Sequence, residues 1–394
     1  MSDRIHSIDT LRAVAIFFIV IAHVQPFRGF GTYGNHVYFV LDTIGQFDVP
    51  FFFLTSGYFF AETVNIDTVK SSVSNSVKKL GSIYLFGRII SITAVVGLAL
   101  FRGVPVANAL IARGIGSISA IDLLYYGTAL AVPLWFLTAL IFSLVFLGCF
   151  VKFRKTRYLL PIAVLVHLVG LVGTNYQMIA DVPFRTRDAL FFGFFYVALG
   201  YHISSVDWTP NENRRHIYLV AVCFLAGVQL LEQYAIGYVI RGNVLAQEIY
   251  STEYTVSTIF FVLALFAYVL SNPEWGRDTI LPKVGRHALG IYLLHVPVIR
   301  LLRTMNRVWN PAIGIDLTST VLWQLAIVPL VYVLSLSLYL LLAEMHVIEL
   351  GGSHTPWLSR ILSRLRTSVQ DSKEAPAHGR SLDETALQQR TEND

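Results

Sequence analysis

The sequence predicts an all-α polytopic membrane protein of about ten transmembrane helices with both termini cytoplasmic, and three observations carry that prediction. Of 394 residues, 55% are hydrophobic and only 14% are charged, against roughly 25% charged in soluble domains. The apolar residues gather into stretches close to the roughly 20 residues that a hydrocarbon core requires. Lys and Arg collect in alternate connections, the bias that orients membrane helices.

In chain order the predicted spans are Ile8–Val24, Val37–Phe60, Ile83–Phe101, Pro133–Val151, Leu159–Val172, Ala189–Ile203, Ile217–Ile240, Val256–Leu270, Gly285–Leu302 and Val321–Ala343. The first has the outline of a secretory leader. Asp9 and Arg12 interrupt it, however, and no small-residue cleavage pattern follows Val24, so it is expected to be a retained helix. The second is the least regular, because Asp42 and Asp48 lie inside it. The fifth and eighth are short and are admitted as helices buried in a bundle, which leaves nine or eleven spans open. With the N-terminus inside, the inner segments hold 20 of the 30 Lys and Arg residues, among them Lys70, Lys78 and Lys79 and the Lys152–Arg157 cluster. The outer connections hold 9, among them Arg300, Arg303 and Arg307. Residues 1–350 are thus expected to form one transmembrane domain, and residues 351–394 a cytoplasmic tail. In that tail Trp357–Arg366 could lie on the inner leaflet as a basic amphipathic helix, before a charged, aromatic-poor stretch expected to be disordered.

Several function classes fall away at this stage. Cys149 and Cys223 both lie inside apolar runs, so neither a disulfide framework nor a thiolate metal site is indicated. No close His/Asp/Glu triplet suggests a metal. The net charge of +5 reports topology, not nucleic-acid binding, because the basic residues are spread over short connections.

The first span carries the most informative polar residues, Asp9, Arg12 and His23. Ionisable groups in lipid are costly and point to function. Eleven residues at 100° each return to within about 20° of the start, and fourteen to within about 40°, so all three share one helix face. His23 lies about 16 Å along the axis from Arg12, which places its imidazole deep in the membrane if Arg12 is at the inner boundary. Pro26 ends or kinks the helix just beyond. A histidine there can take a proton from an alcohol, because its ordinary titration lies near physiological pH. Its other reading is a structural hydrogen bond to a neighbouring helix, and Asp9 with Arg12 is equally readable as a local ion pair at spacing i, i+3.

The string Arg4–His23, RIHSIDTLRAVAIFFIVIAH, resembles the opening of the acyltransferase-3 family, with Asp, then Leu-Arg, ten residues and His. Further segments are similar to that family in the same order: Pro50–Tyr58 (PFFFLTSGY), Pro133–Leu137 (PLWFL), Arg187–Gly200 (RDALFFGFFYVALG) and Gly290–His295 (GIYLLH). The resemblance covers about Arg4 to Ala343. Two departures stand out. Where the family often has Arg-x-x-Arg leading to Pro, this chain has Lys78-Lys79-Leu80-Gly81-Ser82, and Asp188 stands in place of Asn.

The resemblance implies a multi-pass enzyme of the cell (cytoplasmic) membrane that moves an acyl group, usually acetyl, from acyl-CoA to a hydroxyl. The acceptor would be a carbohydrate of a surface polysaccharide or a glycolipid, with no metal involved. His23 is then the expected general base, an acyl-histidine being the lesser variant, and Asp9 positions Arg12. Arg12, Lys78 and Lys79 are expected at the donor's phosphates; Lys152–Arg157 is a weaker choice that simple positive-inside topology also explains. Ser56, with Tyr58 in the same segment, lines the cavity or serves close helix packing. Trp135 is an interface aromatic or, second, a pocket wall. Arg185, Arg187 and Asp188 orient a sugar acceptor or form a structural ion pair. Tyr292 with His295 supplies a second polar wall, or His295 is a satisfied structural histidine. The rival is a transporter or flippase for a glycan or related solute, which would need broken helices in paired halves.

Overall fold

In the computed structural model the described residues are 5–347, apart from 113, 115, 117, 129, 130, 251–253, 315 and 346, and apart from the side chains of 311–313. Arg4, Arg113, the proposed Trp357–Arg366 helix and the whole tail from 351 lie outside them.

The described residues contain helices and no strand. In chain order these are α1 (His6–Val24), α2 (Gly34–Gly45), α3 (Asp48–Thr63), α4 (Val69–Phe101), α5 (Val106–Ile111), α6 (Ala120–Leu124) and α7 (Trp135–Lys152). They continue as α8 (Leu159–Thr174), α9 (Phe194–Ser205), α10 (Arg215–Tyr234), α11 (Val256–Leu270), α12 (Leu281–Gly285), α13 (Ala288–Ile313) and α14 (Val321–Glu344). A π-helical turn, Ala189–Gly193, leads into α9, and another, Ala235–Ile240, follows α10.

Among the described residues, eight helical segments are long and apolar enough to cross a membrane, and Ala189–Ser205 and Val256–Leu270 are shorter apolar helices. Each of the ten expected stretches is therefore helical; the two below full spanning length are the sixth and eighth, not the fifth and eighth, because the fifth gains a helical turn at Thr156–Tyr158 that brings it to 19 residues. Large side chains such as Leu322, Phe224 and Leu165 are mostly exposed and face outward from the bundle. On a membrane protein that belt meets lipid, whereas on a soluble one it would mark an association surface. Together with the family established below, it makes this an integral, multi-pass membrane protein.

Three boundaries differ from expectation, each for a local reason. The irregular second span is two helices, α2 and α3, broken at Gln46-Phe47, so Asp42 and Asp48 flank the break. No proline interrupts Lys78–Ser82, so α4 runs unbroken through both lysines, which lie on a helix instead of in a connection. Similarly α13 continues to Ile313, so Arg303 and Arg307 extend one helix face instead of forming an outer loop.

Two apolar clusters hold the bundle together. One joins α3, α7, α8, α9 and α11 through Phe53, Trp135, Ala163, Tyr196 and Phe266, with Phe192 from the π-helical turn. The other joins α1, α4, α13 and α14 through Ile16, Val20, Phe86, Leu294 and Val331. One very close contact is α3 on α9, where a Cβ at Gly57 would overlap the Val197 carbonyl and one at Gly200 would overlap that of Leu54; Gly285 of α12 meets the Asp9 carbonyl of α1 in the same way. Small residues allow this backbone approach in a medium where apolar burial gives helices little net drive to associate.

Candidate active site

The polar face of α1 is the spine of the site. Arg12, Ile16, Ile19 and His23 recur at i, i+4, i+7 and i+11, and all four border internal cavities. At the Arg12 end, Asp9 is buried and its Oδ1 lies 3.0 Å from Arg12 Nη1, while the guanidinium carbon sits 5.4 Å from the centre of the Phe59 ring. Asp9 thus orients the cation and does not itself border a described cavity. Arg12 opens on a cavity of about 570 Å³ that Lys79 and Arg286 also border, with Ser56 further along its wall.

That cavity shares Ile19, Val49, Phe136 and Tyr292 with a second, of about 390 Å³, bordered by His23, Trp135 and Arg187. A third, of about 770 Å³, meets the second at His23 and Pro133. His23 therefore borders both cavities, and a chain of shared walls leads from it back to Arg12.

The end of α1 that carries His23 is held by contacts to its backbone, and the His23 imidazole packs on a second one. Beyond Val24 the chain turns sharply, with Gln25 and Phe27 both in the left-handed region (φ 59° and 64°). Arg303 Nη2 donates to the carbonyls of His23 (3.3 Å) and Val24 (3.2 Å), and the Phe27 N–H donates to Gln324 Oε1 at 2.8 Å. A cation on the last carbonyls satisfies groups that a helix end leaves open and complements its dipole. Behind His23 is His295, its ring centre 5.0 Å away and its side chain fully buried. His295 Nδ1 is 2.6 Å from the Tyr292 carbonyl, an acceptor, so Nδ1 carries the proton and Nε2 keeps a lone pair. That Nε2 has no hydrogen-bond partner among the described residues. The Tyr292 hydroxyl donates to the Pro133 carbonyl, fixing α13 against the start of α7.

Trp135 is a wall of the His23 cavity, only 5% exposed, and not the interface aromatic favoured from sequence. The reason is tertiary: its ring packs on Phe53 and Phe192, and the Arg187 guanidinium lies 4.6 Å from its centre. Ser56 and Gly57 divide the two roles between them, Ser56 bordering the Arg12 cavity and Gly57 giving the contact with α9.

Four of the expected residues lie elsewhere. Lys78 is exposed beside Lys79 and borders none of the described cavities. Tyr58 packs its ring on Phe266 and Phe59. Arg185 pairs with Asp122 at 2.9 Å on the exposed surface. Asp188 caps the π-helical turn, accepting from the Phe191 N–H at 2.9 Å and from the Tyr125 hydroxyl at 3.0 Å. Sequence reasoning also missed residues at the site. Asp42 and Asp48 border the His23 cavity, and Arg286 borders that of Arg12. Two carboxylates inside an apolar stretch were the available signal. Arg88, buried in mid-α4, donates to the Tyr84 hydroxyl and to the Gly127 carbonyl (3.1 Å), holding the connection before α7.

A basic mouth bordered by Arg12, Lys79 and Arg286 thus leads past the apolar Ile16 and Ile19 of α1 to His23. Residues 5–340 match the family described as Acyltransferase domain, the acyltransferase-3 family. The chain belongs to that family. A protein from Enterococcus faecalis named Amino-acid racemase is 26% identical over 232 residues, which make up 55% of this chain and 30% of that protein. The chain thus spans well under two thirds of that relative's length. No solved structure matches this chain. In this membrane acyltransferase Arg12 and His23 border two cavities with a common wall.

Proposed function

We propose that this acyltransferase transfers an acyl group, acetyl foremost, from acyl-CoA to a hydroxyl of a sugar in a surface polysaccharide or glycolipid, with His23 as general base. What supports this is the run of shared walls from the Arg12, Lys79 and Arg286 cavity to His23. In this reading the Arg12 end faces the cytoplasm, where acyl-CoA is made, both termini are inside, and the chain crosses the membrane ten times. Arg12, Lys79 and Arg286 take the donor's phosphates, and the pantetheine arm extends along α1 to His23.

His23 takes the proton of the acceptor hydroxyl as its oxygen attacks the thioester carbonyl carbon. The oxyanion faces Arg187, which borders the same cavity. Collapse breaks the C–S bond, the sulfur leaves and receives the proton from His23, and the ester and free CoA result. His295 fixes the ring plane of His23 from behind.

The test is acetyl transfer from labelled acetyl-CoA by purified protein in vesicles carrying extracted surface glycan, read with mass spectrometry of the product. His23→Ala is expected to lower transfer by about 10²–10⁴-fold with expression unchanged. Full activity in that variant overturns the proposal.

A further inference from the structure

The third cavity has a composition that a neutral sugar does not explain. Of about 770 Å³, it is bordered by four arginines, Arg102, Arg300, Arg303 and Arg307, and by no carboxylate among the described residues. Arg300, Arg303 and Arg307 follow one another at i, i+3 and i+7 and fall within about 60° of one another on α13. Arg102, the residue that ends α4, faces them from across the cavity. Arg303 commits one nitrogen to the carbonyls of His23 and Val24. Arg303 and Arg307 also border a neighbouring cavity that contains Asp316, but its Oδ1 already accepts from Asn310 Nδ2 (2.9 Å) and from Thr318 N (3.0 Å) and Oγ1 (2.6 Å).

Guanidinium groups brought together repel one another, and an anion with several oxygens relieves that repulsion while accepting paired N–H bonds. Most of the remaining wall is apolar, including Val95, Leu98 and Ile299, with Asn108 and Thr304 as further polar side chains, and His23 borders the same cavity. We infer that this cavity holds the phosphoryl group of the acyl acceptor, either a glycolipid phosphate or a phosphate-bearing glycan, with the acceptor's hydroxyl delivered to His23. The inference rests on the proposed transfer reaction for the word acceptor, but phosphate binding is measurable without any transfer.

The measurement uses the full chain in phosphatidylcholine nanodiscs, with the shift in thermal unfolding as readout and three probes: phosphatidic acid in the bilayer, glycerol 3-phosphate in water, and coenzyme A. Wild type is expected to be stabilised by phosphatidic acid, by glycerol 3-phosphate, or by both. Response to the lipid alone identifies a lipid-borne phosphate, and response to the soluble probe a phosphate on a water-soluble glycan; each supports the inference. Arg102→Gln with Arg307→Gln removes two exposed side chains and is expected to weaken that response at least about tenfold, while leaving the coenzyme A response intact. Arg102→Lys with Arg307→Lys keeps the charge and is expected to restore most of it. Arg214→Gln with Arg215→Gln, at the start of α10, is the control for general attraction to anions and is expected to change nothing. The inference is overturned if wild type responds to neither phosphate, if the control variant loses the response equally, or if the Gln variant loses coenzyme A by the same factor, which would give the cavity to the donor. His23→Ala is expected to keep the phosphate response, so failure of the transfer mechanism would be visible separately from failure of the phosphate site.

Discussion

His167 on α8 and His295 on α13 have nearly the same local chemistry and opposite surroundings. Both are buried, both place Nδ1 on a main-chain carbonyl, of Phe191 at 2.8 Å and of Tyr292 at 2.6 Å, and both leave Nε2 without a hydrogen-bond partner among the described residues. His167 is stacked on Phe195 at 4.3 Å and on Tyr254 at 5.5 Å, and it borders none of the described cavities. His295 has another imidazole, His23, as its neighbour, and that neighbour borders two cavities. A buried histidine in a membrane helix is therefore not by itself a sign of catalysis. Neither histidine itself borders a described cavity; what separates the two is that His295 packs against a residue that borders two of them.

The largest effect should come from the packed half. Gly200→Ala places a methyl group into the Leu54 carbonyl and is expected to abolish folding, a loss of more than about 4 kcal/mol. Gly81→Ala, where nothing lies within 4 Å, is expected to fold normally. Yield and monodispersity after detergent extraction decide this, and equal behaviour of the two would remove the packing argument for α3 and α9.

The two histidines can then be exchanged for phenylalanine. His295→Phe is expected to lower acyl transfer at least about tenfold by loosening His23, with the effect mainly on turnover and partial rescue by His295→Gln. His167→Phe is expected to leave transfer within about threefold and to cost about 1 kcal/mol of stability through the lost bond to Phe191. The reverse assignment, with activity lost at His167 and kept at His295, would break the comparison.

The smallest effect belongs to the exposed pair Arg185–Asp122. The Ser119 hydroxyl, and after it Arg185, hold the Asp122 carboxyl below the ordinary carboxylate range. A carboxyl lowered in the folded state contributes stability above its unfolded value, near 3.9, and loses it as pH falls through the folded value. Thermal unfolding followed from neutral to acid pH should show that small increment in wild type and a flatter profile in Ser119→Ala, with transfer by Arg185→Gln within about twofold of wild type.

Much of the site was legible because α1 is a regular helix. Helical arithmetic alone puts Arg12 and His23 on one face, and the structure keeps them there, on two cavities with shared walls. The two lysines of α4 were harder to separate, since Lys78 and Lys79 differ by one position and are both exposed, and only the roll of α4 brings Lys79 to the edge of the Arg12 cavity. Trp135 read as an interface residue because Trp is common at membrane surfaces, and its burial depends on Phe53 and Phe192 from distant parts of the chain. Asp42 and Asp48 looked like irregularities in a span, and the helix break between them is what turns both toward His23.

By itself the sequence determined the solvent, the helical class and the polar face of α1, because composition and a 3.6-residue period act locally and need no knowledge of neighbours. It also determined the family, through motifs kept in order over most of the chain. Only the tertiary structure decided which histidine backs His23, which aromatic walls its cavity and where four arginines converge. Those outcomes depend on side chains from α1, α4, α7 and α13, far apart along the chain, and a cavity is the space such packing leaves unfilled.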